Sequence, residues 1–363
     1  MSDDDATGLR FEVEPPDPPN EGILFVDHSE LGRSGHLGHA LVEYAPGSIL
    51  AFYPNCSDVN DGHNGDGWME YKRSEDGGRT WSQPEPLAYS KRIYDQGIGR
   101  SVMCEKAVRT DDGAIVLFNL ECENIPEKKW AWQPLSVPTF MRSTDNGISW
   151  APATLMGDQP GRIWDALVHH GAILVLELCN DSTIHWYGNR PEHHYALYVS
   201  TDQGYTFSRR SVLPFDIEGR GYGAMAILRD GSLIAYVYNL ADEKHLDYAI
   251  SDDGGHTWGV VQTAFMAKKI RNPQMAAFKD GFVLHGRSGN KGEGRGHLVL
   301  YTSSDGIHWD AGRYLRMQQA GWGAYSNNLL VGGPSPGAPK RVLIQASHAY
   351  ERSKTNIYHW WLK

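Results

Sequence analysis

Three Gly-Arg pairs, Gly99-Arg100, Gly161-Arg162 and Gly219-Arg220, recur at near-equal intervals along the chain. A guanidinium is a planar, permanently charged fork that grips a carboxylate or sulfate through parallel hydrogen bonds. Several aimed into one pocket would suit an acidic sugar, such as a uronic or sulfated one; the alternative is that each orders a loop. Near them in sequence stand Trp164, Asp165 and Tyr222, and elsewhere lie His39, an acidic loop with Asp61 and Asp66, and the indoles of Trp68, Trp132, Trp186 and Trp322. An indole face packs well on the C–H groups of a pyranose, although each of these tryptophans singly also suits a core. One chemistry open to such a set is proton abstraction α to a uronate carboxylate. His39 and Tyr222 would act as base and acid, with Arg220 neutralising the carboxylate.

Side chains so far apart need a repeated scaffold to bring them together, and the chain carries one. SEDGGRTW runs from Ser74 to Trp81, STDNGISW from Ser143 to Trp150, STDQGYTF from Ser200 to Phe207 and SDDGGHTW from Ser251 to Trp258. A shortened copy, SSDGIHW, runs from Ser303 to Trp309. Ser and Asp hydrogen-bond their own local backbone, Gly allows positive φ, and the terminal aromatic plugs the turn into a core. Apolar hairpins turn at Gly47, Gly113, Gly171, Gly231 and Gly281, and a sixth has a longer turn near Gly337. Successive turn glycines lie 50 to 66 residues apart, enough for a four-stranded sheet with its loops. Six hairpins and five Asp-bearing turns predict an all-β fold, a six-bladed β-propeller of four-stranded antiparallel blades spanning residues 23–363. Residues 1–22, acidic and proline-rich, are expected to form a loosely held arm. NIYHWWLK and GILFVD are the candidates for the strand that closes the last blade and removes an exposed edge.

Composition narrows the function classes. With 363 residues and 40% hydrophobic content the chain can bury a large core. A net charge of −10 argues against a nucleic-acid binder and against an anionic membrane surface. The four cysteines lack C-x-x-C spacing, so neither a zinc site nor a dense disulfide framework is expected, and no metal or other cofactor is implied. MSDDDATGLRFEVEPPDPPN has no basic n-region and no apolar h-region, which makes a cytoplasmic location the default expectation. No apolar run is long enough to span a bilayer. The expected partner is a carbohydrate; nothing in the pattern specifies an oligomeric state.

The repeated turn motif resembles the Asp boxes of the sialidase superfamily, whose members are six-bladed propellers, and the resemblance covers roughly residues 23–363. It implies chemistry at one axial mouth, where inner strands start and the loops after second strands meet. Family sialidases hold a carboxylate with three arginines and use a Tyr nucleophile assisted by a Glu, with an Asp as acid/base. By this resemblance GAYSNNLL makes Tyr325 the nucleophile, RGHLVLYTSSDG makes Arg295 the last arginine, and the loop after the second strand of blade one offers Asp61 or Asp66 as the acid.

Other positions depart from the family. The Arg-Ile-Pro start of blade one reads His36-Leu37-Gly38-His39, the blade-four glutamate falls near Tyr222, and the following arginine falls near Tyr238. The glutamate that would brace the first arginine falls around His348. The expectation is therefore an exo-acting glycoside hydrolase for a sugar other than sialic acid. An acid at Asp61 or Asp66 would work opposite Asp165 or Tyr325. Arg295, Arg220, Tyr222, Arg162, Arg100, Trp164 and Trp322 would bind the substrate. The uronate lyase above and a glycan-binding propeller without catalysis are the alternatives.

Overall fold

A computed structural model describes residues 11–15, 22–36, 39–289, 296–317, 323–332 and 339–363. Six antiparallel sheets stand around one axis; five are built from four strands consecutive in sequence with the first innermost, and the sixth combines the last three strands of the chain with strands from its other end. The inner strands are Ala40–Ala45, Arg100–Arg109, Gly161–His169, Arg220–Ile227, Arg271–Phe278 and Ser326–Val331, and the last packs against the first. Second strands such as Ile115–Glu123 and Leu233–Asn239 are buried almost throughout. Both of their faces are covered by neighbouring blades, so their sequences read as continuous apolar runs rather than alternations.

The ring closes as the repeat count predicts, and both candidate segments take part. Lys354–Leu362 is the third strand of blade six, and Ile23–Val26 from the other end of the chain pairs with it, Ile23 opposite His359 and Leu24 opposite Tyr358. Val13–Glu14, inside the expected arm, also joins this sheet opposite Leu362 and Trp361. The sixth expected turn, near Gly337, lies outside the described residues, and among the described turns one differs from expectation. The fifth hairpin turns at Lys279–Asp280, with Lys279 at φ 52°, and Gly281 already opens the next strand opposite Phe278.

The repeated turns are wedges between blades. In the first, Asp76 Oδ1 accepts the backbone N–H groups of Arg79 and Thr80, both at 2.9 Å, while Ser74 Oγ accepts that of Gly78 at 2.8 Å. The terminal aromatic then packs on the preceding blade in the ring: Trp81 on Phe25, Trp150 on Phe52, Phe207 on Phe118 and Trp309 on Tyr236. Trp258 instead donates its indole N–H to Ser211 at 3.0 Å. The glycine before it shows why the motif tolerates no side chain there. Gly255 has φ 86°, and a Cβ on it would lie 2.1 Å from Leu197 of the preceding blade.

A polar septum crosses the axis. Lys106 Nζ pairs with Asp165 Oδ1 at 3.2 Å, donates to Asn327 Oδ1 at 2.9 Å and also donates to Gln274. Asp165 Oδ2 accepts the backbone N–H of Met225 at 2.7 Å, and Asn327 donates to the carbonyl of His39 at 2.5 Å. Three acceptors saturate the ammonium. Blades two to six are tied at this level, and the carbonyl of His39, next to the first inner strand, completes the circuit.

Candidate functional site

Four inner strands carry a bulge at the same height, just on one side of the septum. The pairing register shifts between Cys104 and Lys106, between Ile163 and Asp165, between Gly221 and Gly223, and between Arg271 and Gln274. A bulge leaves its extra residue unpaired and re-aims that side chain. Here the displaced residues are Glu105, Trp164, Tyr222 and Asn272, and all four line one axial cavity of about 60 Å³ with His39, Arg162 and Tyr325. Tyr222 and Asn272 sit at φ 37° and 51°. A bulky residue held in the left-handed region stores strain, a common feature of functional sites.

Tyr325 stands at the centre of this group, partly open to the mouth. Tyr222 donates its hydroxyl hydrogen to the Tyr325 oxygen at 3.1 Å, and the His63 Nε2 lies 3.4 Å away. Arg287 lies 4.9 Å from the Tyr325 ring centre, and the His36 ring packs edge-on at 4.7 Å. Burial alone would raise the pKa of this phenol. The field of Arg287, the Tyr222 hydrogen bond, and the fields of Arg271 and Arg162 outweigh it, so the Tyr325 phenol is held below its ordinary value. Tyr222, fully desolvated, is pushed well above its own, which keeps it a hydrogen-bond donor.

Three buried arginines thus surround the phenol. Arg162 pairs with Glu105 at 2.9 Å and covers the Trp164 ring at 4.3 Å. Arg271 pairs with Glu243 at 3.3 Å and donates to the Tyr238 hydroxyl at 3.0 Å. Arg287 lies opposite Arg271 across the strand pair. Glu105 is driven upward by burial, which exceeds the opposing pull of Arg162 and Lys106. The histidines are neutral: burial, and then Arg287, bring His63 down to about 3, and burial brings His39 down to about 4. His39 Nε2 lies 2.9 Å from the Gly35 carbonyl, which can only accept, so Nε2 carries the proton and Nδ1 keeps its lone pair.

The expected site residues divide. Tyr325, Tyr222, Arg162, Trp164 and His39 meet at the cavity. Trp164 is only 5% exposed, so it forms a wall beneath Arg162 rather than an open platform. Arg100 pairs with Glu121 at 3.0 Å and Arg220 with Asp247 at 2.6 Å, each within its own blade. Register explains the difference between Arg162 and Arg220. Asp247 stands opposite Val237, and the corresponding place in blade three, opposite Leu176, is Leu197, so nothing in that blade captures Arg162. Asp165 is absorbed by the septum rather than standing opposite an acid. Asp61 is an exposed residue paired with Arg352 at 2.7 Å, and the Asp66 carboxylate has no hydrogen bond or ion pair among the described residues. Arg295 and Trp322 lie outside the described residues.

The sequence places Arg271, Arg287 and His63 among the positions at the axial mouth without giving them a role, and Glu105 is not among those positions. Glu105-Lys106 carried a readable signal, because adjacent charges inside an apolar strand place one of them on a core face unless a bulge intervenes. The loop 57–66 was expected to deliver an aspartate. Instead Asn64 ties the Ser57 and Val59 carbonyls at 3.0 and 2.6 Å, Asn60 and Asp61 turn at positive φ, and His63 is the residue that reaches Tyr325.

Among the described residues, no cluster of three His, Cys, Asp or Glu is placed to hold a metal, and no helix is long and apolar enough to cross a membrane.

Residues 47–334 match the BNR repeat-like domain family. The chain belongs to that family. Among solved structures this BNR propeller is similar to a protein of unknown function from Dyadobacter fermentans, at 16% identity and a TM-score of 0.71, covering 94% of this chain and 98% of that one. It is also similar to the Hadza microbial sialidase Hz136, at 15% identity and a TM-score of 0.70, covering 93% and 68%. A third is the α-L-arabinanase of Penicillium chrysogenum complexed with arabinobiose, at 13% identity and a TM-score of 0.57, covering 97% and 96%. At these identities the likeness is one of fold. No curated protein sequence matches the BNR propeller.

Proposed function

We propose that this BNR propeller is an exo-acting glycoside hydrolase for an acidic sugar, with Tyr325 as nucleophile and Glu105 as the proton-transferring acid. One observation carries the reading. A phenol acidified by cations and a carboxylic acid pushed upward by burial line the same small cavity. Pairs of groups whose environments drive them apart in this way mark acid and nucleophile roles. In the reaction Tyr325 attacks the anomeric carbon while Glu105 protonates the departing glycosidic oxygen. Water, deprotonated by Glu105, then releases the sugar from the tyrosine with net retention.

Arg162, Arg271 and Arg287 would hold the anionic group of the sugar. They come from positions other than those of the expected triad, which supports an acidic substrate while leaving sialic acid disfavoured. An anion drawn to Arg162 also loosens its grip on Glu105, so substrate binding favours the protonated acid. Tyr325→Phe is the test: on a panel of uronide and other glycosides it should abolish turnover of whichever substrate the parent cleaves. Full activity of Tyr325→Phe would overturn the assignment.

His39 supports a second reading, a uronate lyase, because its Nδ1 lone pair shares the cavity with Tyr222 and Arg162. Ultraviolet absorbance from an unsaturated uronate product would select the lyase, and reducing sugar without it the hydrolase.

A further inference from the structure

The wall beside the cavity continues outward as a shelf of aromatic rings. Arg271 lies 5.9 Å from the Trp186 ring, Trp186 stacks on His185 at 6.0 Å and 18°, and His185 meets Trp132 edge to face at 4.2 Å. Trp132 is the outermost member and is 53% exposed, while His185 beneath it is 4% exposed. Lone exposed aromatics need no explanation, but this one is built in. Gln133, next in sequence and 4% exposed, binds the Ile125 and Lys128 carbonyls at 2.9 and 3.0 Å and fixes the Trp132 loop. Backbone bonds from Leu135 to Ser182 and from Ile184 to Gln133 sew that loop to the blade-three loop. The Tyr222 N–H then sews the blade-three loop to blade four through the carbonyl of Trp186, at 3.1 Å. Tyr325 packs on the apolar cluster under these loops, with Trp130, Leu135 and Ile184, as well as on the large core cluster of blades three to five.

We infer that Trp132, seated on His185, is the stacking platform for a second sugar ring, the one attached to the ring held at Tyr325. The substrate is then the end of an acidic oligosaccharide. The inference rests on the acidic-sugar reading above and deepens it. Its reasons are continuity and rigidity. The shelf begins at Arg271, next in sequence to Asn272 of the cavity wall, and a preorganised indole contributes apolar contact to a pyranose face at little entropic cost.

Calorimetric titration tests it, with D-galacturonic acid and trigalacturonate as probes and full-length Tyr325→Phe as a non-hydrolysing parent. The trimer should bind about tenfold tighter than the monomer, a difference of about 1.4 kcal/mol. Adding Trp132→Ala should erase that advantage and leave monomer affinity unchanged, and Trp132→Tyr should restore most of it. A trimer advantage that survives Trp132→Ala, or an equal loss for both probes, would overturn the shelf and leave the acidic cavity standing. Trp132-dependent trimer binding without monomer binding would overturn the acidic cavity and keep the shelf. Binding of neither probe to the parent would overturn both.

Discussion

The hydroxyl of Tyr222 lies 3.1 Å from that of Tyr325; Tyr222 lies on the inner strand of blade four, and Tyr325 immediately precedes that of blade six, with one blade between them. Only one of these phenols is acidified. The asymmetry arises because Tyr222 donates the shared hydrogen bond and Tyr325 receives it under Arg287. Tyr222→Phe should therefore raise the Tyr325 pKa, move the ascending limb of the pH–rate profile to higher pH and lower kcat by about tenfold or more. Phenolate difference spectroscopy of the variant reads the same shift without a substrate. An unmoved profile would remove Tyr222 from this role.

Glu105 carries the opposite expectation. With its carboxyl held above the usual range, the acid form persists to higher pH than for an exposed glutamate, and activity falls as that form ionises. Glu105→Gln should reduce turnover of substrates with poor leaving groups by about 10²–10⁴-fold and abolish the descending limb. Substrates with activated aryl leaving groups need no protonation, so their first step should be nearly spared. A uniform loss across leaving groups would mark Glu105 as a positioning residue only.

The septum offers a stability test separate from chemistry. Lys106→Met leaves the Asp165 carboxylate buried, without its ion partner and with only the backbone N–H groups of Ala166 and Met225, so it should cost about 3–5 kcal/mol. The double variant Lys106→Met, Asp165→Leu should recover much of that loss, because apolar replacement removes the buried charge. Denaturant unfolding of Lys106→Met, Asp165→Leu and the double variant checks this. Additive losses would mean that the pair is not coupled.

Glu177 sets a pH dependence of stability. It is 1% exposed, its Oε1 lacks a hydrogen-bond partner, and burial, reinforced by Asp158, pushes its carboxyl up to about 8. Between the ordinary glutamate value and about 8 the folded state holds a proton that the unfolded state has lost. Its contribution is therefore complete at low pH and declines as pH rises through that window. Glu177→Gln should change stability little near pH 5 and raise it by a few kcal/mol near pH 8. Thermal unfolding at the two pH values is the measurement, and equal shifts at both would contradict the assignment.

What the amino-acid order determined by itself was the periodic part. Ser-x-Asp turns, hairpin glycines and apolar second strands are local signals, each enforced within a few residues by hydrogen bonds or by φ, and their count alone specified six blades. The same periodicity placed Tyr325, Tyr222 and Arg162 at the starts of inner strands, where the axial cavity lies. Which side chains enter that cavity was decided only in three dimensions. A one-residue bulge sends Glu105 into the mouth and Lys106 into the septum, an aspartate in blade four retains Arg220 where a leucine in blade three lets Arg162 go, and one asparagine turns a loop so that His63 points inward in place of an aspartate. These outcomes depend on register and on partners tens to hundreds of residues away, which no local pattern along the chain encodes.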